Sequence, residues 1–159
     1  MTVRLAIPAD EEPLYGLLLE LERDNNSFGI VLDEERIREH IRLGTERKGA
    51  LIGVVDARDP DDPVKLAGSV GIFTDRFWCD KNYHWAILWL FVRSDYRKGY
   101  PFAEDLMNWA RRQRKLFEEA LGKPVVLLDS PFSRNDLPIK IRWWRRYGEQ
   151  IGAVFLIKR

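Results

Sequence analysis

The residues best suited to chemistry lie together in the segment RKGYP, residues 97–101, between an apolar run and a long amphipathic stretch. Arg97 and Lys98 carry positive charge, and Gly99 lets the backbone approach a ligand closely or take a positive φ angle. Pro101 suits the first position of a helix, where its missing N–H costs nothing. The start of a helix offers unpaired N–H groups and a positive dipole end to an anion. The segment therefore predicts a site for phosphate oxygens.

Two regular elements flank this segment and would position it. The run YHWAILWLFV, ending at Val92, is almost entirely apolar, which is typical of a central strand buried on both faces. Residues 101–120 place apolar side chains at intervals of three and four, which predicts a helix with one stripe against a sheet. The predicted site therefore lies in a βα connection, a common position for binding residues.

The rest of the chain predicts an α/β fold with a mixed, mostly antiparallel central sheet flanked by helices. TVRLAI reads as a strand, and Asp10 and Asp33 are predicted caps of the next two helices. GALIGVVDAR and VKLAGSVGIF flank the turn DPDDP and predict an antiparallel hairpin. VVLLD, a helix starting near Pro138 and the strand GAVFLIK would complete the order β, α, α, β, β, β, α, β, α, β.

Length and composition predict one globular domain, residues 1–159, with 45% hydrophobic and 32% charged residues. Neither a signal-type start nor an apolar run of membrane-spanning length is present, so we expect a cytoplasmic protein without a membrane partner. The lone Cys79 excludes an intrachain disulfide. His40 and His84, 44 positions apart, do not have metal-ligand spacing, so no metal site is predicted.

The charge is polarised along the chain although the net charge is only +1. Residues 1–92 hold 11 basic and 17 acidic side chains, whereas residues 93–159 hold 15 basic and 8 acidic ones. A basic second half suits a polyanion, which could be the phosphates of a coenzyme or a nucleic acid.

The segment LFVRSDYRKGYPFAEDLMNWARR resembles the coenzyme-binding motif of the GNAT N-acetyltransferases. Leu90-Phe91-Val92 matches its strand-ending L-x-V pattern, and Tyr96-Arg97-Lys98-Gly99 matches its aromatic-Arg pair and glycine-containing loop. The element order and the ending RWWRRYGEQIGAVF resemble the rest of that fold. The sequence is most similar to a divergent, often phage-associated branch that carries DYRK and a basic R-x-x-R-R helix.

This resemblance implies transfer of an acetyl or longer acyl group from an acyl-CoA, with acetyl-CoA as the expected co-substrate, to a primary amine of an acceptor. In the family, a backbone N–H near a bulged strand polarises the thioester carbonyl while the amine attacks directly. The pantetheine arm would pair with the strand at Leu90, Phe91 and Val92 like an added strand. The phosphates would be held by Arg97, Lys98, Gly99 and Tyr100.

Two side chains are candidates for proton transfer. The family often carries a glutamate base on the central strand, but residues 83–86 contain no carboxylate, so His84 is the candidate base. A structural histidine at a strand start is the alternative. The family's acidic tyrosine aligns with Trp144, and Tyr147, about one helical turn later, could replace it or simply cap the core.

Two other functions remain open from the sequence. A GNAT-fold protein that binds or assembles without turnover is one, because Tyr100 and Phe102 stand where the family has small residues and Gly99 comes one position early. Nucleic-acid binding through RRQRK and IRWWRRY is the other, although such patterns are more simply a solvated face and a core stripe. Nucleic acid is therefore not an expected partner, whereas a homodimer is compatible with the sequence. An acceptor pocket is expected at residues 25–32 and 74–84.

Overall fold

The chain forms a five-stranded sheet with helices on both faces. The computed structural model describes residues 2–25, 33–75 and 84–129, together with Arg142, Arg145 and Arg146. The strands are β1 (Arg4–Leu5), β2 (Ala50–Asp56), β3 (Leu66–Asp75), β4 (His84–Val92) and β5 (Val126–Asp129). The helices are α1 (Glu11–Asn25), α2 (Glu34–Thr45) and α3 (Phe102–Leu121). This arrangement confirms the predicted α/β fold class.

The sheet has the simple strand order β1-β2-β3-β4-β5. The first four strands pair antiparallel, including the predicted β2–β3 hairpin, and β5 pairs parallel to β4. The sheet is therefore mixed and mostly antiparallel, as expected. The helix predicted near residue 138 and the closing strand near residue 153 lie outside the described residues.

The sheet separates two hydrophobic clusters. The first lies between the sheet and α3 and includes Trp85, Ile87 and Leu106. The second lies under α1 and α2 and includes Leu14 and Ile41. A sheet covered on both faces explains why β4 is nearly continuous apolar sequence rather than an alternation of apolar and polar residues. None of the described helices is both long and apolar enough to cross a membrane.

Local signals set the ends of the helices. The Asp33 carboxylate accepts a hydrogen bond from the Arg36 N–H at 3.0 Å, which is the predicted N-cap of α2. Gly122 follows α3 in the left-handed region with φ of 62°, as expected for a helix-ending glycine. Asp10 differs from its prediction. It lies in a 3₁₀ turn before α1, and its carboxylate accepts hydrogen bonds from Arg4 at 2.7 and 2.9 Å.

Candidate functional site

The central strand β4 is interrupted by a β-bulge at Leu88. Trp89 pairs with Gly71 of β3 and Ile87 pairs with Ile72, so two steps along β4 correspond to one step along β3. Leu88 is the extra residue, and its side chain is 49% exposed although it lies in the middle of the sheet. A bulge disrupts the ladder locally and bends the strand that carries it.

The bulge also changes which face the side chains of β4 point to. Residues separated by an even number of positions in a regular strand lie on the same face. Trp85 and Ile87 nevertheless pack in the α3 cluster, while Trp89 and Phe91 pack in the cluster under α1 and α2. The extra residue at Leu88 accounts for this reversal.

On the side away from β3, the first half of β4 pairs with β5. Parallel pairing with β5 runs from His84–Val126 to Ile87–Asp129, and within the described residues no register pair continues beyond it. The Arg93 N–H donates to the Ala67 carbonyl at 3.0 Å, so the backbone of Arg93 faces β3. Because backbone groups alternate along a strand, those of Val92 and Leu90 face the opposite edge. The backbone groups of Leu90 and Val92, beyond the bulge, thus face away from β3.

The loop after β4 leads directly to the start of α3. Gly99 has a φ of +84°, a conformation that glycine adopts without the steric penalty of a Cβ. Pro101 caps α3 instead of occupying its first helical position, and no side chain caps the first turn. The Asp105 N–H donates to the Pro101 carbonyl at 2.8 Å, so the amides of residues 102–104 have no acceptor within the helix. These amides are the groups that could receive an anion.

Arg97 lies at this loop but is held by other groups. Its Nε donates to the Val92 carbonyl at 2.7 Å, and its Nη2 contacts the Asp24 carboxylate of α1 at 2.5 Å. The guanidinium lies 5.3 Å from the centre of the Phe91 ring. Arg97 therefore connects the end of β4 to α1, while the neighbouring Lys98 is exposed.

Tyr100 is contacted by a second arginine, Arg58, which the sequence analysis missed. Its ring stacks on Phe102 with centroids 5.2 Å apart, and Phe102 itself is 2% exposed and part of the core. Arg58, from the β2–β3 turn, donates to the Tyr100 hydroxyl at 2.6 Å and lies 3.9 Å over its ring. Nothing in the sequence near Arg58 points to the loop, since 42 positions separate the two residues.

Arg93, another residue missed by the sequence analysis, follows β4 directly and connects the end of this strand to two other segments. Its side chain is 11% exposed and pairs with Asp62 at 2.6 Å and with Glu20 at 3.0 Å. Burial opposes the charge of Arg93, but the two carboxylates outweigh that effect and raise its pKa. Burial likewise disfavours the charged Asp62, but the hydrogen bond and charge of Arg93 together with the N–H groups of Val64 and Lys65 more than offset it, so the pKa of Asp62 lies below its usual value.

Of the two predicted catalytic residues, His84 and Tyr147, only His84 lies within the described residues. His84 is the first residue of β4, is 7% exposed, and lies in register with Asp75 and Val126. It precedes Leu88 by four residues, which is about 13 Å along a strand. Tyr147 lies outside the described residues, as do most of the loops predicted to receive the acceptor. His84 and Tyr147 therefore stay predictions.

No model of a known protein family matches this sequence, and no curated protein matches it. Solved structures do match over the whole chain. A possible acetyltransferase from Clostridium difficile 630 has a TM-score of 0.69 at 12% identity, covering 99% of this chain and 95% of that one.

Two further similar structures are of proteins named for the acceptor that they acetylate or bound to an analog of it. AAC(6')-Iy in complex with the bisubstrate analog CoA-S-monomethyl-acetylneamine has a TM-score of 0.64 at 14% identity, covering 99% of this chain and 97% of that one. Ribosomal-protein-alanine N-acetyltransferase from Brucella melitensis biovar Abortus 2308 has a TM-score of 0.65 at 11% identity, with the same coverage of 99% and 97%. The chain has the GNAT acetyltransferase fold.

Within the GNAT fold, the bulged strand and the start of α3 are the two features on which the site predictions depend. The described residues contain no group of three or more His, Cys, Asp or Glu side chains that could hold a metal ion. The phage-associated branch suggested by the sequence stays a prediction, because the similar structures support only the fold.

Proposed function

We propose that this protein is an N-acetyltransferase that moves an acetyl group from acetyl-CoA to a primary amine. The observation that carries the proposal is the Leu88 bulge in β4, followed by a loop that leads to unpaired amides at the start of α3. Beyond the bulge, the backbone groups of Leu90 and Val92 face the edge of β4 away from β3, where they can pair with an extended ligand whose far end reaches the amides of α3.

The proposed coenzyme lies along that edge. The backbone groups of Leu90 and Val92 pair with the pantetheine arm, and Phe91 supports the strand from the cluster under α1 and α2. The diphosphate is received by the loop Arg97, Lys98, Gly99 and Tyr100 and by the amides that follow it. Arg97 can contribute its charge fully only by exchanging the Asp24 carboxylate for a phosphate.

The proposed reaction is direct transfer. The neutral amine of the acceptor attacks the thioester carbonyl carbon, and the developing negative charge on oxygen is stabilised by a backbone N–H at the bulge. The C–S bond then breaks, the acetylated nitrogen gives one of its two protons to solvent to become a neutral amide, and the leaving thiolate takes up a proton to become the thiol of CoA. Tyr147 is the predicted donor of that proton, and His84 the predicted base for the incoming ammonium. A base at His84 requires bridging water, because it lies about 13 Å along the strand from the bulge.

The direct test is calorimetry with acetyl-CoA followed by an amine panel. The panel includes neamine and a peptide with an N-terminal alanine, the acceptor chemistries named by two similar structures. We expect binding of acetyl-CoA and release of thiol with at least one amine. No detectable binding of acetyl-CoA would contradict the proposal.

A non-catalytic protein of the same fold is the second candidate. It is favoured by the burial of His84 at a distance from the bulge, which leaves no described base at the proposed reaction centre. Binding of acetyl-CoA without thiol release from any amine would support this candidate over the enzyme.

The coenzyme placement makes its own prediction. Replacing Arg97 and Lys98 together by alanine should weaken acetyl-CoA binding by about 2–3 kcal/mol, the usual loss for hydrogen bonds to charged groups. The control Arg112→Ala/Lys115→Ala removes the same two charges from exposed positions farther along α3. Equal affinities of the two double variants in calorimetry would refute this placement.

A further inference from the structure

The side chain that follows the bulge packs against a glycine. A Cβ added to Gly71 would lie 2.5 Å from the Cη2 and Cζ2 atoms of the Trp89 ring, closer than side chains tolerate. Gly71 is also the register partner of Trp89 on β3. Only the absence of a side chain at position 71 therefore lets the indole lie across β3.

The same indole is held by a buried hydrogen bond. Its Nε1 donates to the Ser69 hydroxyl at 2.9 Å, and Ser69 is fully buried. Ser69 and Gly71 lie two positions apart on one strand and so on one face. We call the three residues Trp89, Ser69 and Gly71 the Trp89 lock.

The Trp89 lock fixes the register of the second half of β4. Without the extra residue, residues 89–92 would shift by one position and Trp89 would turn to the α3 face. That shift would leave the indole N–H without Ser69 and Ser69 without its donor, both costly in a dry interior. The contacts that stabilise the bulge therefore lie on the face of the sheet under α1 and α2, opposite to the face that packs against α3.

We propose that the Trp89 lock is the positioning device for the acyl group, and this inference rests on the proposed function. Its members act through the backbone of Leu88 and Trp89, which they hold at the point where the thioester carbonyl would receive its hydrogen bond. The diphosphate loop begins several residues later, at Arg97. The lock should thus control the acyl end of acetyl-CoA and not its overall affinity.

The chain offers a matched pair of variants to test this. Gly71→Ala drives a methyl group into Trp89, and Gly53→Ala drives one into Trp109 of α3, where a Cβ would lie 2.7 Å from ring carbon Cε3. Both glycines lie inside the sheet, on β3 and β2, and both substitutions crowd an indole. Only Gly71 faces the bulge, so Gly53→Ala controls for general loss of stability.

The readout is the carbonyl resonance of acetyl-CoA labelled with carbon-13 at that atom. A hydrogen bond to the carbonyl moves the resonance downfield on binding. We expect that shift in the wild-type protein and in Gly53→Ala, and its loss in Gly71→Ala. Affinity for acetyl-CoA should agree between the two variants within about twofold, because sites that share no contacts couple weakly.

A second variant covers the case in which Gly71→Ala does not fold. Ser69→Ala removes only the acceptor of the indole N–H, and it should reduce the downfield shift while acetyl-CoA still binds. An unchanged shift in every folded lock variant would overturn the lock and leave the proposed function standing. Failure of wild-type protein to bind acetyl-CoA would overturn both.

Discussion

Arg97 is shared between the carbonyl that ends β4 and a carboxylate on α1. Replacing Asp24 by asparagine should free the Arg97 guanidinium to bind a phosphate. Because both partners are partly exposed, the gain should be small, up to about 1 kcal/mol or roughly fivefold in acetyl-CoA affinity. Calorimetry at low salt measures it.

The control for this variant is Glu22→Gln, which removes the same charge from the same helix two positions earlier. If both variants tighten binding equally, the effect is one of overall charge and the contact with Asp24 plays no part.

Gly99 is a residue at which backbone conformation alone sets the allowed side chain. Its φ of +84° disfavours any residue with a Cβ, whereas the space around it is open. Gly99→Ala should therefore lower stability by about 1–2 kcal/mol, the cost of a left-handed conformation. Gly16→Ala, also in open space but inside α1, should raise stability by roughly 0.5–1 kcal/mol. Opposite signs in denaturant unfolding would support this account, and equal signs would contradict it.

At the scale of elements, Arg93 joins three segments that are distant in sequence: α1, the β2–β3 turn and the end of β4. Arg93→Met removes the cation and leaves Asp62 buried with an uncompensated charge, so we expect a loss of about 3–5 kcal/mol. The control Arg38→Met removes an exposed cation that pairs with Glu34 and Glu12, and because exposed pairs contribute little, only a small loss of stability is expected. Similar midpoints of urea unfolding for the two variants would show that the ion pairs of Arg93 with Asp62 and Glu20 do not stabilise the fold.

At the scale of the whole molecule, two partly buried acid–arginine pairs predict how stability depends on pH. Burial disfavours the charge of Asp10, but Arg4 and the Ile7 N–H more than offset it, and Asp62 behaves likewise with Arg93, so the pKa of each aspartate is lowered. A carboxylate whose pKa is lowered in the folded state stabilises the protein at pH values above the pKa that the group has in the unfolded chain. This contribution is lost as the pH falls through the folded-state pKa. Stability should therefore be level near neutral pH and fall below about pH 4.

Urea unfolding at several pH values tests this dependence. The double variant Asp10→Asn/Asp62→Asn should be less stable near neutral pH and should lose less stability between neutral and acidic pH than the wild type. Identical pH profiles of the two proteins would show that other groups control acid unfolding.

The sequence by itself determined the α/β fold class, the β2–β3 hairpin, the cap at Asp33 and the extent of α3. Each of these depends on local features, namely side-chain periodicity, turn residues and backbone preferences within one segment. The positive φ of Gly99 belongs to the same class, because it follows from the absence of a Cβ.

Only the tertiary structure decided the bulge at Leu88, the opposite faces of Trp85 and Trp89, and the partners of Arg97 and Arg93. Read alone, the run YHWAILWLFV is compatible with a regular strand. Its register is set across the sheet by Gly71 and Ser69, which admit and hold the Trp89 ring. Likewise, Asp24, Arg58 and Asp62 approach the loop from other elements, because pairing between distant segments depends on packing that no local pattern encodes.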